Sequence, residues 1–458
     1  LSPAPPALSL MRPQVFFGAR PQLHAVINPD ADEFLAPDGS PGVAGVDFPD
    51  GIELRWLRTA ALAWRFRDAN LLFAGEVTRG SRFVYRRRVV DRARAIAPFL
   101  RFPEAPYAVV ADGRIVWILE GFTGTRAFPL STPHQLRLLR PVSYARNSVK
   151  VTVDAVTGRV DFYRVDVPDP LADAYSAAFP GLFKPFSEMP ASVRAHVRYS
   201  REMLNLQSQV LLQYHQETAP AFHGQQDVWA LPNELAQGTT PVPYRPEYGI
   251  WTLPGEDQAR FNLTAVFVPA GRQNLTAMLV ARAATAGVPR LILYDVTVED
   301  QVPGPRQIEA LVEQDPQISQ QFSLWRTGGS EVWTGHLHLV PVGRRLLYME
   351  PVFLAAAADA IPELRRFVVS DGRRVAMTDD LAGAIAALAG FQLPAGGAGE
   401  ETGAGGPESG RWPAAALEVL DRAEALLRQG DWQGFGAALQ ELRTLLEGLG
   451  SAPTPPGR

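Results

Sequence analysis

The stretch YAVVADGRIVWILEGF (107–122) reads as two apolar runs hinged on Asp112-Gly113. An Asp-Gly link suits the left-handed backbone of a tight turn, so it predicts two antiparallel strands. SVKVTVDAVTGRVDFYRVD (148–166) repeats the arrangement around Thr157-Gly158, with Val149, Val151 and Val153 on one strand face. RRFVVSDGRRVAMT (365–378) is a third hairpin, around Asp371-Gly372. Such hairpins outnumber any regular strand–helix alternation. A doubly wound parallel layout is therefore disfavoured, and the expected class is α+β, with mixed or antiparallel sheets, β-hairpins and interspersed helices.

Outward from the first hairpin, residues 1–50 are Pro-rich, with MRPQVFFG and LHAVIN as strand candidates. A helix is expected over 52–75, where Leu54, Leu57, Ala61, Leu62 and Phe66 fall near helical spacing. Another is expected over 82–97, ended by Pro98, which lacks the donor that continues a helix. Beyond the second hairpin, helices are predicted at 170–179, 189–197 and 201–216, and an irregular Pro-rich segment at 218–260. FNLTAVFVPA (261–270), NLTAMLVARA (274–283) and VPRLILYDVT (288–297) read as strands, and RQIEALVEQD (306–315) as a helix. A β region follows at 330–356, and DLAGAIAALAG (380–390) is a small-residue helix. PAGGAGEETGAGGPESG (394–410) is low-complexity linker sequence. After it, Leu417, Leu420, Ala423 and Leu427 face Leu439, Leu442, Leu445 and Leu446 across Gly430-Asp431, predicting a C-terminal antiparallel helical hairpin. The expected organisation is an N-terminal α+β lobe (1–255), a C-terminal β-rich α+β lobe (256–392), a Gly/Ala/Glu-rich linker (393–411) and the hairpin (412–449).

Composition narrows the function classes. The 458 residues carry 44 Lys+Arg against 48 Asp+Glu, a net charge of −4, which argues against a nucleic-acid partner. Cysteine is absent, which excludes disulfides, thiolate catalysis and Cys-ligated zinc. No run of 18 apolar residues occurs, so no transmembrane helix is read; the nearest candidate, LRWLRTAALAWRFRDANLLFAG (54–75), holds Arg55, Arg58, Arg65, Arg67 and Asp68. Those charges are too costly in hydrocarbon, so it reads as an interfacial or domain-surface helix. The arginines of RFVYRRRVVDRAR (82–94) read as a solvated or internally paired face. The chain opens on LSPAPPALSL without Met and reads as a fragment or processed product.

Several ordered segments resemble one family: RARAIAPFL (92–100), YAVVADGRIVWILEGFT (107–123), YARNSVKVTVDAVTGRVDFY (144–163), FPGLFKPFSEMP (179–190), RAHVRYSREMLNLQSQVLLQYH (194–215), GPRQIEALVEQDPQISQQFSLW (304–325) and LLYMEPVFL (346–354). They look like the bacterial membrane proteins of uncharacterised protein family 0182, and the tail hairpin resembles the C-terminal helices of some members. The resemblance implies several N-terminal membrane helices followed by a large extracytoplasmic region, of which this chain would be most. It implies those membrane helices as a partner, other envelope proteins as possible partners, and membrane proximity. It supplies no catalytic residues, since no reaction is established for the family.

Chemistry-bearing residues are sparse. His196, His215, His223 and Asp227 cluster in sequence and are the candidates for proton transfer or metal binding. His336 and His338, in GHLHL, would share one strand face, with Glu331 or Glu350 as a third metal ligand. In each case a structural role is the plainer reading. NPDAD (28–32) starts like a calcium loop, but Glu33 and Gly39 stand where a glycine and a bidentate acid are needed. GGSEV (328–332) breaks the serine-hydrolase elbow at Val332, and no phosphate-binding loop occurs. Asn262 and Asn274 fit the glycosylation pattern but fall in expected strands. No cofactor is predicted. The leading expectation is an extracytoplasmic binding or assembly domain without evident catalysis. The alternatives are an envelope hydrolase, with or without a metal ion, and a substrate-capturing domain of a transport system.

Overall fold

The computed structural model describes residues 10, 14–27, 51–75, 77, 80–103, 105–136, 140–235, 240–283, 289–296, 301–327, 329–342, 345–355, 361–390 and 422. The calcium-like NPDAD loop, the linker and the C-terminal hairpin, apart from Arg422, lie outside them. The chain divides into two compact units, Leu1–Leu393 and Pro394–Arg458. The first is α+β.

Its N-terminal part is a small antiparallel sheet of β1 (Ala25–Ile27), β2 (Ile52–Glu53) and β3 (Arg82–Val84), ordered β1-β3-β2. Both helices expected here are shorter than their apolar spacing suggests. The segment 52–75 yields β2, α1 (Trp56–Phe66) and α2 (Asn70–Phe73), because Arg67 turns left-handed at φ 56° and closes α1. Leu57 and Ala61, read as part of the buried stripe, face outward; Thr59 and Ala63 are the buried positions. The segment 82–97 starts as β3, since Phe83 is needed in the core between β1 and β2. Its helix, α3 (Val89–Ile96), begins only after Arg86 at φ 52° and an extended Arg88.

The next sheet has the order β4-β5-β6-β7-β8: Tyr107–Ala111, Arg114–Thr125, Tyr144–Asp154, Val160–Arg164 and Phe183–Pro185. Asp112 and Gly113 both have positive φ, the turn their sequence requires. Only β7 and β8 run parallel. Leu119, Val149, Val151, Val153 and Phe162 pack on Val89, Val90 and Ala93 of α3. The opposite face gives Val109, Ile118 and Tyr163 to Met189 and to Val193 of a short α5 (Ala191–Arg194). Helix α4 (Pro170–Ala178) is capped by Asp169, a buried carboxylate that also accepts from Thr123 (2.6 Å), Ser148 (2.5 Å) and Tyr144 (2.9 Å) hydroxyls. Burial pushes that carboxyl up, but the hydroxyl and amide donors outweigh burial and hold it below its ordinary value.

Helix α6 (Arg201–Tyr214), capped by Ser200, spans both halves of the unit. Its Leu206 packs on Phe122, and its Leu204 on the next sheet. The segment 218–260, read as irregular, holds α7 (Ala219–Gly224), β9 (Trp229–Ala230), β10 (Asn233–Glu234), β11 (Val242–Pro243) and β12 (Glu247–Trp251). Its strands are short and their partners distant, so no local period marks them. The sheet orders as β12-β13-β14-β15, with β13 (Arg260–Pro269), β14 (Ala277–Arg282), β15 (Arg290–Asp295) and β9 against the end of β13. It is covered on both sides. Leu263, Ala265, Phe267, Ala277, Leu279 and Ala281 face α6 and Trp229, while Trp251, Val266, Met278 and Val280 face α8 (Pro305–Gln314) and α9 (Pro316–Thr327).

Helix α9 goes beyond the sequence reading, which expects a single helix here, over 306–315; a proline at 316 is compatible with either the end of a helix or the start of one. It is a start: proline suits the first helical position, and Asp315 caps the amides of Gln317 and Ile318. The last sheet orders as β16-β18-β19-β20, with β17 also on β18: Glu331–Thr334, Arg345–Ala355, Glu363–Ser370, Val375–Thr378 and, for β17, His338–Val342. Helix α10 (Leu381–Ala389) seals its outer face. Among the described residues no helix is long and apolar enough to cross a membrane.

Candidate functional site

Two oppositely charged residues are buried within the β5–β6 pair. Glu120 in β5 stands opposite Lys150 in β6, both buried, and the ammonium bonds the carboxylate directly. The β5–β6 register shifts between Gly121 and Thr123, opposite Asn147 and Ser148. Such an irregularity re-aims side chains. Here it leaves Asn147 and Lys150, three apart, both on the same Glu120 oxygen, with the Asn147 amide at 2.6 Å.

In front of this pair lies a cleft of about 200 Å³, between β6 and the residues Ala283, Pro289 and Leu291 of the next sheet. Arg146, Lys150 and Arg198 reach it, and Val165, Val197, Met203 and Leu291 supply apolar walls. Arg198 is held between the two sheets. Its guanidinium carbon lies 3.7 Å from the Tyr107 ring of β4 and 4.6 Å from the Tyr248 ring of β12. Tyr248 in turn donates its hydroxyl to the Tyr199 carbonyl at 2.6 Å. Arg198 Nε is buried without a hydrogen-bond partner, as are Glu120 Oε1 and Asn147 Oδ1. Burial, reinforced by the Glu120 charge, pushes the Tyr107 phenol well up, so it stays neutral as a platform for the cation. One carboxylate against three cations gives the cleft a net positive charge, suited to an anion.

The histidines expected to carry chemistry are dispersed. His215 ends α6; its Nδ1 donates to the Leu211 carbonyl at 2.7 Å and its ring stacks on Trp229 at 3.6 Å. Asp227 Oδ2 lies 3.4 Å from its Nε2, so the structure brings these two candidates together. His196 and His223 are exposed, the first just beyond α5 and the second on α7. His336 and His338 lie edge to face at 5.0 Å. The partner of His336 is neither Glu331 nor Glu350 but Glu234, 2.9 Å from Nδ1 and itself buried. Burial, with His336 beside it, holds His338 below its ordinary value. Among the described residues no three His, Asp or Glu side chains are grouped to hold a metal ion.

A second cleft, about 400 Å³, is lined by Phe322, Arg326, Trp333, Glu309 and Glu350. Glu350 is 1% exposed and its Oε1 has no partner. Glu309 accepts from the Leu235 amide and from Arg306, both at 2.5 Å. Asn262 is sealed in β13, bonded to the Trp251 and Arg260 carbonyls and to Arg282, which closes it to glycosylation. Four of the six 82–94 arginines are paired internally: Arg87 on the Phe16 carbonyl, Arg92 on that of Gly158, Arg88 and Arg94 on Asp91.

Sequence reasoning missed Glu120, Lys150 and Arg198. A signal existed: Lys150, one of only two lysines, stands between Val149 and Val151, and Glu120 ends an apolar run in the neighbouring strand. Opposite charges, one in an apolar stretch of each of two successive hairpins, are a buried ion pair waiting for its register.

The sequence model described as Uncharacterised protein family (UPF0182) matches residues 2–325. A UPF0182 protein of Cupriavidus necator is 38% identical over 451 residues, covering 96% of this chain and 48% of that protein. One from Moorella thermoacetica is 37% identical over 460 residues, covering 97% and 49%. One from Bradyrhizobium diazoefficiens is 38% identical over 456 residues, covering 96% and 48%. The chain thus spans about half the length of the curated relatives it matches. No solved structure matches it. With the family model spanning most of the sheets described above, the chain belongs to the uncharacterised protein family UPF0182.

Proposed function

We propose that this chain is the extracytoplasmic binding domain of a bacterial membrane protein, and that the Arg146–Lys150–Arg198 cleft seats an anion with an apolar part. The membrane helices of the same protein, and other envelope proteins, are its partners in this reading. The observation that carries the binding role is the convergence of three cations on a cleft whose remaining walls are apolar. Charge fixes one end of such a ligand and the Val165–Met203 wall takes the other.

Anilinonaphthalene sulfonate, an anion with an apolar ring system, is a suitable probe. Its fluorescence is expected to rise on binding, to be displaced by decanoate, and to fall sharply in Arg146→Glu and in Ala283→Trp, which fills the cleft. Probe binding that both substitutions leave untouched would remove the cleft from the proposal.

A further inference from the structure

Helix α1 hides a second apolar stripe, and it points away from the protein. At 100° per residue, Trp56, Leu57, Ala60, Ala61 and Trp64 span about 140° of its surface, apart from the buried line of Thr59 and Ala63. Trp56 is 77% exposed, Leu57 70% and Trp64 88%. Packed against α1, α2 adds Phe73 at 82%. Tryptophans left this bare on a folded surface mark a binding face.

Next to the stripe on the helical wheel stand Arg58 and Arg65, and Arg67 closes the helix; all three are exposed. Arg58 and Arg67 have no ion-pair partner among the described residues. Aromatic residues set beside unpaired arginines match the boundary between acyl chains and anionic headgroups, where each finds its preferred medium. The helix is 11 residues, about 16 Å long, so it would lie in the plane of a bilayer surface and not span it.

We infer that the exposed face of α1 and α2 docks on the surface of an anionic lipid bilayer, with Trp56, Trp64 and Phe73 inserted and Arg58, Arg65 and Arg67 on the headgroups. This face is separate from the anion cleft, and the inference stands or falls without it.

The test is flotation of the full chain with vesicles of phosphatidylcholine plus phosphatidylglycerol, beside vesicles of phosphatidylcholine alone. Co-flotation with the anionic vesicles is expected, with a blue shift of tryptophan emission and weakening in high salt. Trp56→Ala/Trp64→Ala/Phe73→Ala should lower vesicle partitioning at least about tenfold while leaving the circular dichroism unchanged, because the three side chains are exposed. Arg58→Glu/Arg67→Glu should abolish the preference for anionic lipid. No flotation of the parent chain, or equal flotation of the triple alanine variant, overturns the inference. Self-association that the alanine substitutions abolish, without vesicle binding, assigns the face to a second copy of the chain and overturns it as well.

Discussion

Glu350 offers the sharpest test of the structure's electrostatics. It lies in β18, almost wholly buried, on the wall of the larger cleft. Burial is the chief cause that pushes its carboxyl up to about 8; the Thr334 hydroxyl draws it down, and Glu309, Glu234 and Glu313 raise it further. The folded value therefore exceeds the ordinary 4.5 of the unfolded chain. Between those two pH values the folded protein keeps a proton that the unfolded chain releases. Glu350's contribution is thus full below the unfolded pKa and is lost as pH rises toward 8. Glu350→Gln keeps the shape and removes the titration. At ~1.4 kcal/mol per unit, the stability of the variant relative to the parent should climb by about 3 to 4 kcal/mol from about pH 5 to about pH 8. Urea unfolding of both proteins across that range reads the difference directly, and other titrating groups cancel between them. A difference that stays flat with pH, or runs the opposite way, would refute the buried neutral acid.

Lys150→Met should cost about 3 to 5 kcal/mol in urea unfolding, because it strands the buried Glu120 carboxylate, and adding Glu120→Leu should recover most of the loss. If the double variant is as weak as the single one, the pair is not the reason. Gly158 has φ +71° and an added Cβ would sit 2.5 Å from the Phe17 ring, whereas Gly181, at φ +81°, has open space. Gly158→Ala should therefore lower Tm by several times the shift of Gly181→Ala, for which backbone strain alone costs about 1 kcal/mol; equal shifts would contradict the packing of Phe17. His215→Ala should cost about 2 kcal/mol through the lost stack on Trp229, while His223→Ala, on the surface of α7, should leave the melting curve in place.

The hairpins were legible because their turns demand particular residues: Asp112-Gly113 and Asp371-Gly372 announce the chain reversal whatever packs around them. The interior of the middle sheet was legible too, since β13 and β14 are buried on both faces and read as continuous apolar runs. What escaped was set by distant partners. Arg82–Val84 looks helical in its own context, yet it pairs with strands far away in sequence on both sides. The cationic cleft was illegible for the same reason: Tyr107, Lys150, Arg198 and Tyr248 come from four separate segments and share no local motif. The histidines drew notice for their chemistry, but proximity in sequence did not gather them, and the partner of His336 came from β10, in a segment that carried no pattern.

The bridging position of α6 sets a schedule for the chain's own synthesis. Leu204 packs on Leu279, which leaves the ribosome roughly 75 residues later, an interval of about 4 to 15 s at 5–20 residues per second. Through that interval the helix has been made and its cover has not. A nascent chain therefore carries the apolar side of α6 bare after the β4–β8 sheet is complete, and the second half must arrive before that side finds another partner. Slowing translation between Tyr214 and Arg282 prolongs that exposure in direct proportion.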